Sequence, residues 1–375
     1  MTVEQGRRSD VPTRAVRLSA KFHISRVRDP SQYADVMQMR RVDATDPHDF
    51  DEWFSLFARC DHARDGVSGQ GWHPDEWRAR ASADHEAKVW HLLSFGDLGQ
   101  LPVAVASAEV GRDDNLHWLR TDLQVDPELR RQGHGTAALH VLENYTRSLG
   151  RQSLVVNVME GSNEVGRAPN RRFAPLMGYR IADEAVRRDI AWPRPTGELD
   201  RLHSAWEPFA ADYEIVLWQG STPNEWVADR IHLSAVMPSE APYADLDVHE
   251  EKWDEQRLRE HEHTVKQMGR ELFVAVALHR PTHRLVGYSE LTSSREFTET
   301  AYQWDTFVLK AHRGHRLGGL LKIANMKQPG FAEMNVSRIS TFNSSLNEPM
   351  IRVNDELGSQ VTESSVMWRK DLELD

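Results

Sequence analysis

Hydrophobic and polar positions along the chain fall into two consecutive series with the same order. The first opens with strand-like alternation at residues 22–27, after a polar stretch, 1–20, that reads as a disordered tail. Helical spacing follows from Ser31, a candidate N-cap, through Tyr33, Val36, Met37 and Met39. Residues 43–71 are acidic and aromatic and fit no single period; Phe50, Trp53, Phe54 and Phe57 stand at helical spacing and line either a core or a pocket. A helix over 74–88 leads to strand-like runs at 89–95, 101–110 and 116–125, separated by turn-forming segments. A helix over 136–149, ended by Gly150, a buried strand at 153–158, a helix at 171–176 and a strand pair up to Trp192 complete the series.

Pro193-Arg194-Pro195-Thr196-Gly197 then breaks the pattern. The expected organisation is a first domain at 21–195, a linker with a short helix at 196–210, and a second domain at 211–375. The second series repeats the order: a strand at 213–218, helices at 223–237 and 255–268 around a loop-like acidic segment 238–254, and strands at 272–278, 284–291 and 302–309. A helix to about Gln328, a strand at 337–342, a helix at 347–357 and a strand at 361–368 close it.

The two series share a motif. Residues 122–136 read D-L-Q-V-D-P-E-L-R-R-Q-G-H-G-T, and residues 305–319 read D-T-F-V-L-K-A-H-R-G-H-R-L-G-G. Val125 and Val308 stand 183 residues apart, and the same offset relates Asp122 to Asp305, Arg130 to Arg313 and Gly135 to Gly318. Two copies in matching strand–loop–helix settings indicate an internal duplication. A basic, glycine-bearing loop that opens a helix suits a bound phosphate, because the first-turn N–H groups, the helix dipole and the arginines all favour an anion.

Composition narrows the function. Net charge is −11, which disfavours broad binding to a nucleic-acid backbone and mildly favours cationic substrates. No apolar run approaches the roughly 18 residues of a membrane span, no signal-peptide core opens the chain, and the single Cys60 suits a reducing cytoplasm. His261 and His263 lie two apart on a helix and diverge by about 200°, so that segment reads as a solvated face and no metal site is assigned. A dinucleotide-binding βαβ unit fits poorly, since the strands before each loop form a meander.

The order of elements, with this motif, resembles the GNAT superfamily of acetyl-CoA-dependent N-acetyltransferases: α/β, two tandem domains, each a mixed and mostly antiparallel twisted sheet flanked by helices. The first loop matches the family signature through Val125, Pro127, Arg130, Gly133 and Gly135; the second matches through Val308, Arg313 and Gly318, with Arg316 where the first glycine usually stands. The arrangement is similar to that of mycothiol synthase and other tandem members. The resemblance implies that Val125 and the loop Arg130, Arg131, Gln132, Gly133, His134, Gly135 and Thr136 hold the pyrophosphate of coenzyme A. Val308 and the loop Arg313, Gly314, His315, Arg316, Leu317, Gly318 and Gly319 would do so in the second half. Arg316 must then turn its side chain away from the phosphate nest or reach a phosphate.

Transfer to an amine also needs a proton acceptor. Asp122 and Asp305 occupy an acidic position that many members turn toward the acceptor; each is a general base or ammonium anchor, with a structural hydrogen bond as the alternative. The family's tyrosine acid, four residues before the glycine that ends the last helix, is replaced by Ala174 and Asn354. Asn343 and Asn347 read as ligands for pantetheine amides or as capping residues. The resemblance implies transfer from acetyl-CoA to a small-molecule amine, with the C-terminal half favoured as catalytic; the alternatives are a catalytically silent acyl-CoA-binding protein and a mycothiol-synthase-like or aminoglycoside-type enzyme. Monomer is the preferred state, as the chain already pairs two domains.

Overall fold

The computed structural model describes residues 37–65, 72–83, 88–97, 99–161, 168–195, 197–296 and 299–373. The tail 1–20, the strand at 22–27 and most of the helix expected after Ser31 lie outside them. Within them the fold is mixed α/β, a large and mostly antiparallel sheet flanked by helices.

Strand β1 (Gln38–Arg41) corrects the end of that expected helix. Met37 and Met39 pack toward the core while Gln38 and Arg40 alternate outward, and β1 pairs antiparallel with β2 (Lys88–Gly96). The unassigned aromatic stretch is a helix, α1 (Pro47–Asp65), whose Phe50, Trp53 and Phe57 are buried with Trp77 of α2 (Pro74–Ser82). They form core, not pocket. The meander continues through β3 (Ala104–Gly111), β4 (Trp118–Thr121) and the short β5 (Gln124–Val125) into α3 (His134–Ser148). Strand β6 (Ser153–Gly161), helix α4 (Asn170–Leu176) and β7 (Arg180–Ala191) follow. The expected strand pair before Trp192 is this single strand of 12 residues.

The second half runs from α5 (Glu198–Trp206) and β8 (Tyr213–Gln219) to α6 (Val227–Glu240) and α7 (Glu255–Gln267). Strands β9 (Arg270–His279), β10 (Arg284–Ser294) and β11 (Thr300–Val308) form its meander. Helices α8 (Leu317–Met326) and α9 (Pro329–Ala332), strand β12 (Arg338–Ser344), helix α10 (Glu348–Glu356) and strand β13 (Gln360–Asp371) end it. Strand β9 shows why the sheet needs helices on both faces. Leu272, Val274 and Val276 pack in the cluster with Leu233 and Val265 of α6 and α7, while Phe273, Ala275 and Ala277 pack in the one with Leu320 and Leu321 of α8. A strand buried on both faces reads as a continuous apolar run, as this one does.

The strands join into one sheet, ordered β1-β2-β3-β4-β6-β13-β7-β12-β11-β10-β9-β8, with β5 on β3. The centre of that order is an exchange. Strand β13 of the second half lies between β6 and β7 of the first, and β7 lies between β13 and β12 of the second, all antiparallel. Each half closes its sheet with the other's last strand.

Candidate active site

Both glycine–arginine loops have the conformation that an anion cradle requires. In the first, Arg131 (φ 63°) and Gly133 (φ 91°) are left-handed; in the second the equivalents are Gly314 (φ 89°) and Arg316 (φ 57°). Each loop thus places one glycine and one arginine at the same pair of left-handed positions, and Arg316 adopts the glycine conformation at a strain cost. Its side chain turns away from the loop to Glu356 (3.0 Å) and lies over the Trp206 and Phe209 rings. Arg130 and Arg313 play matched parts: each Nε donates to the carbonyl of its valine, Val125 at 3.2 Å and Val308 at 2.9 Å.

Among the described residues, the N–H groups of His134, Gly135 and Thr136 find no acceptor in the chain, nor do those of Leu317 and Gly318. A Cβ at Gly135 would meet only ordinary contacts, 3.5 Å from Val125 and 3.9 Å from Phe173, and Gly318 is similar. Internal packing therefore does not demand glycine at either site; what glycine leaves is an uncovered donor. Both loops fit a pyrophosphate, and the first is the more open. Arg131 and Gln132 are exposed there, whereas in the second Arg313 is paired with Glu240 (2.6 Å) and His315 holds the Phe209 carbonyl (3.0 Å). Gly319 is closed off from any ligand, because a Cβ there would overlap the Trp206 ring.

Beside each loop the sheet splays. Strands β4 and β6 pair in parallel only up to Thr121↔Val156, where β4 ends and β6 continues, and β11 and β12 only up to Tyr302↔Ser340, although both of these continue. The aspartates mark the break. Asp122 falls in the gap between β4 and β5, and Asp305 falls where the β10–β11 register shifts, between Leu291↔Gln303 and Ser289↔Thr306. Such bulges re-aim a side chain.

The two carboxylates are aimed differently. Asp122 accepts the Ser107 N–H at 2.6 Å and has the Asp61 carboxylate of α1 as a charged neighbour. Asp305 opens into a cavity of about 330 Å³ and, among the described residues, accepts only the Tyr288 hydroxyl, at 3.2 Å. Burial raises both to about 6, and the Glu290 charge adds to the effect at Asp305. Neighbouring Glu290 goes the other way: although burial opposes it, Arg230 and then His261 hold it at about 2. His261 stands 3.7 Å from Glu290 and lines the cavity, which corrects its reading as a solvated helix residue. Arg230 lies 3.7 Å over the Tyr288 ring, and burial pushes that phenol well above its ordinary range.

The roof of the cavity is the segment 241–254, which crosses onto the first half. Asp245 N–H donates to the Ala182 carbonyl (2.8 Å), His249 N–H to Asn115 (3.1 Å) and Lys252 N–H to Asp114 (2.9 Å). The expected acidic approach is largely neutralised: Asp245 pairs with Arg180, Glu251 with Lys88 and Arg257, and Asp254 caps α7. What the segment presents inward is Tyr243, Leu246, Val248 and Trp253, with the ion-paired Glu251. At its outer edge His117, Asp247 and His249 bring two imidazoles and a carboxylate within 4.8 Å of one another.

The asparagine row divides. Asn347 is a plain N-cap, accepting the Met350 N–H at 3.3 Å. Asn354 is fully buried and links two groups: it accepts from Lys322 Nζ (2.7 Å) and donates to Asn343 (2.5 Å). Sequence reasoning missed Lys322, an interior lysine of α8 that burial lowers to about 7. Its signal was a lysine on the apolar face of Leu317-Gly318-Gly319-Leu320-Leu321-Lys322-Ile323. Tyr288, Glu290, Arg230 and Tyr243 were also missed, and carry no spacing signal.

No protein-family model matches the sequence and no curated protein matches it. Solved structures do. A tandem GNAT protein from the clavulanic acid biosynthesis pathway superposes with a TM-score of 0.69 at 23% identity, covering 89% of this chain and 98% of its own. A GCN5-related N-acetyltransferase from Sphaerobacter thermophilus gives 0.59 at 14% identity, covering 89% and 95%. A putative acetyltransferase from Pyrococcus horikoshii gives 0.50 at 12%, covering 95% and 94%. The first of these is itself a tandem protein, and the fold of this chain is the GNAT fold, present twice.

Proposed function

We propose that this chain, whose fold is that of a tandem GNAT protein, is an acyl-CoA-dependent N-acetyltransferase that moves an acetyl group to a primary amine of a small molecule by direct attack. Coenzyme A, held by the N–H groups and arginines of the loops, supplies the acetyl group as an activated thioester. The second half is the catalytic one on this reading. The observation that carries it is Asp305: the carboxylate stands at the β11 register shift, faces a cavity and forms no ion pair within the described residues. Held at about 6, it is ionised at neutral pH and still a better proton acceptor than an ordinary carboxylate near 3.9. It anchors an incoming ammonium and takes up its proton. Asp122 is tied to a backbone N–H and does not line that cavity.

Incubation with acetyl-CoA and a panel of amines, read as free thiol, tests the activity. Asp305→Asn should lower turnover by about 10²–10⁴-fold while leaving acetyl-CoA affinity unchanged, and Asp122→Asn should lower it far less. Unchanged turnover in Asp305→Asn overturns the assignment. Coenzyme A binding without thiol release on any amine would instead favour a silent acyl-CoA-binding protein.

A further inference from the structure

We infer that the second-half cavity takes a hydrophobic primary amine, an ammonium group on a small aromatic or alkyl body with no carboxylate or phosphate of its own. The inference rests on the preceding reading of Asp305 as the residue that faces the acceptor. Charge is the first argument. The cations along the wall are already matched: Arg120 to Glu109 at 2.8 Å, Lys88 to Glu251 at 2.7 Å, Arg257 to Asp114, and Arg230 to Glu290. Arg80 lies 4.7 Å over the Trp90 ring. An anionic substituent would have to break one of these pairs and leave a carboxylate uncompensated in a confined site, a costly exchange. Asp305 has the opposite status: among the described residues its one hydrogen-bond partner is a hydroxyl, and the nearby Arg230 and His261 are both engaged by Glu290. Among the described residues no cation is ion-paired to Asp305, and an ammonium would take that place.

The second argument is surface. Beyond the paired charges, the wall offers Trp90, Trp118, Tyr243 and Trp253, with Met237 and Val248 between them. Aromatic faces attract an ammonium and bury an apolar body. Ser234 and Asn115 also line the cavity, but Ser234 Oγ accepts from Arg230 and Asn115 Oδ1 from His249 N–H. The Trp253 indole N–H donates to Glu251, which leaves few free groups for the hydroxyls of a sugar. The volume of about 330 Å³ lies at the small end of ligand sites, which limits the body to a modest size.

The test is binding, so that it stays separate from turnover. Calorimetry would compare phenethylamine with phenylalanine, tryptamine with tryptophan, and both amines with glucosamine, each with and without saturating coenzyme A. Each amine should bind at least about tenfold more tightly than its carboxylate-bearing counterpart, and Asp305→Asn, checked for an intact fold by circular dichroism, should remove that affinity. Equal or tighter binding of the amino acids or of glucosamine, or no amine binding in either condition, overturns the inference. Selective amine binding without thiol release would sink the acetyl-transfer reading and leave the ligand class standing.

Discussion

At the scale of single residues, Asp305 joins function to a measurable stability cost. Its carboxyl is raised to about 6 by burial and by Glu290, above the ordinary range near 3.9. The folded state therefore binds the proton more tightly than the unfolded one, and stability falls as pH climbs from about 4 to about 6. Asp305→Asn removes a cavity-facing charge that its surroundings and Glu290 disfavour. The variant should melt above the wild type at pH 7.5, with the difference vanishing by about pH 4. Activity has the opposite slope: kcat/KM of the wild type should fall about tenfold per pH unit below 6, as the base is protonated. Thermal melts over that range and a pH–rate profile check both limbs. A variant no more stable at pH 7.5 would mean that the carboxylate is not strained by its surroundings. The sequence pointed to Asp305 through its fixed distance from Val308. It could not show that Asp122, at the same distance from Val125, is tied to the Ser107 N–H with Asp61 of α1 as its charged neighbour, because that depends on what β3 and α1 place opposite.

At the scale of elements, the two loop-and-helix units share a backbone and differ in what covers them. The sequence made the shared part legible, since the 183-residue offset repeats the aspartate, valine, arginine and glycine in order. The covering came from elsewhere. Trp206 and Phe209 belong to the connector between halves, and they reach the second loop by packing that no local pattern encodes. This separates two glycines that look alike in sequence. Gly135→Ala has room for its methyl group and should leave the melting temperature nearly unchanged, yet it crowds the uncovered donors and should weaken coenzyme A binding. Gly319→Ala drives a methyl into the buried Trp206 ring and should destabilise by about 1–3 kcal/mol, less whatever helix propensity returns. Thermal melts with coenzyme A titrations on both variants decide the matter; a destabilised Gly135→Ala with normal affinity would remove the case for an anion site at the first loop.

At the scale of the molecule, the halves are interlocked rather than side by side. Alternation identified residues 361–368 as a strand but says nothing about partners far away in sequence, so the insertion of β13 between β6 and β7 was not legible. The roof segment 241–254 was opaque for the same reason, its anchors being Ala182, Asn115 and Asp114 of the first half. A further tie is the ion pair of Glu76 and Arg270, 2.6 Å apart with both side chains fully buried. Breaking such a pair typically costs about 3–5 kcal/mol, so separating the halves would strand two interior charges at once. It would also uncover β6 and β7, whose facing edges are bridged along 12 residues by β13. Unpaired edges of that length invite aggregation. Residues 1–195 expressed alone should therefore be insoluble or associate heavily, and co-expression with residues 196–375 should recover a soluble one-to-one complex on size exclusion. A first half that is monomeric and unfolds cooperatively by itself would contradict the exchange. It would also detach the cavity roof from its anchors, because a second half that stands alone has nothing to hold Tyr243 and Trp253 over Asp305.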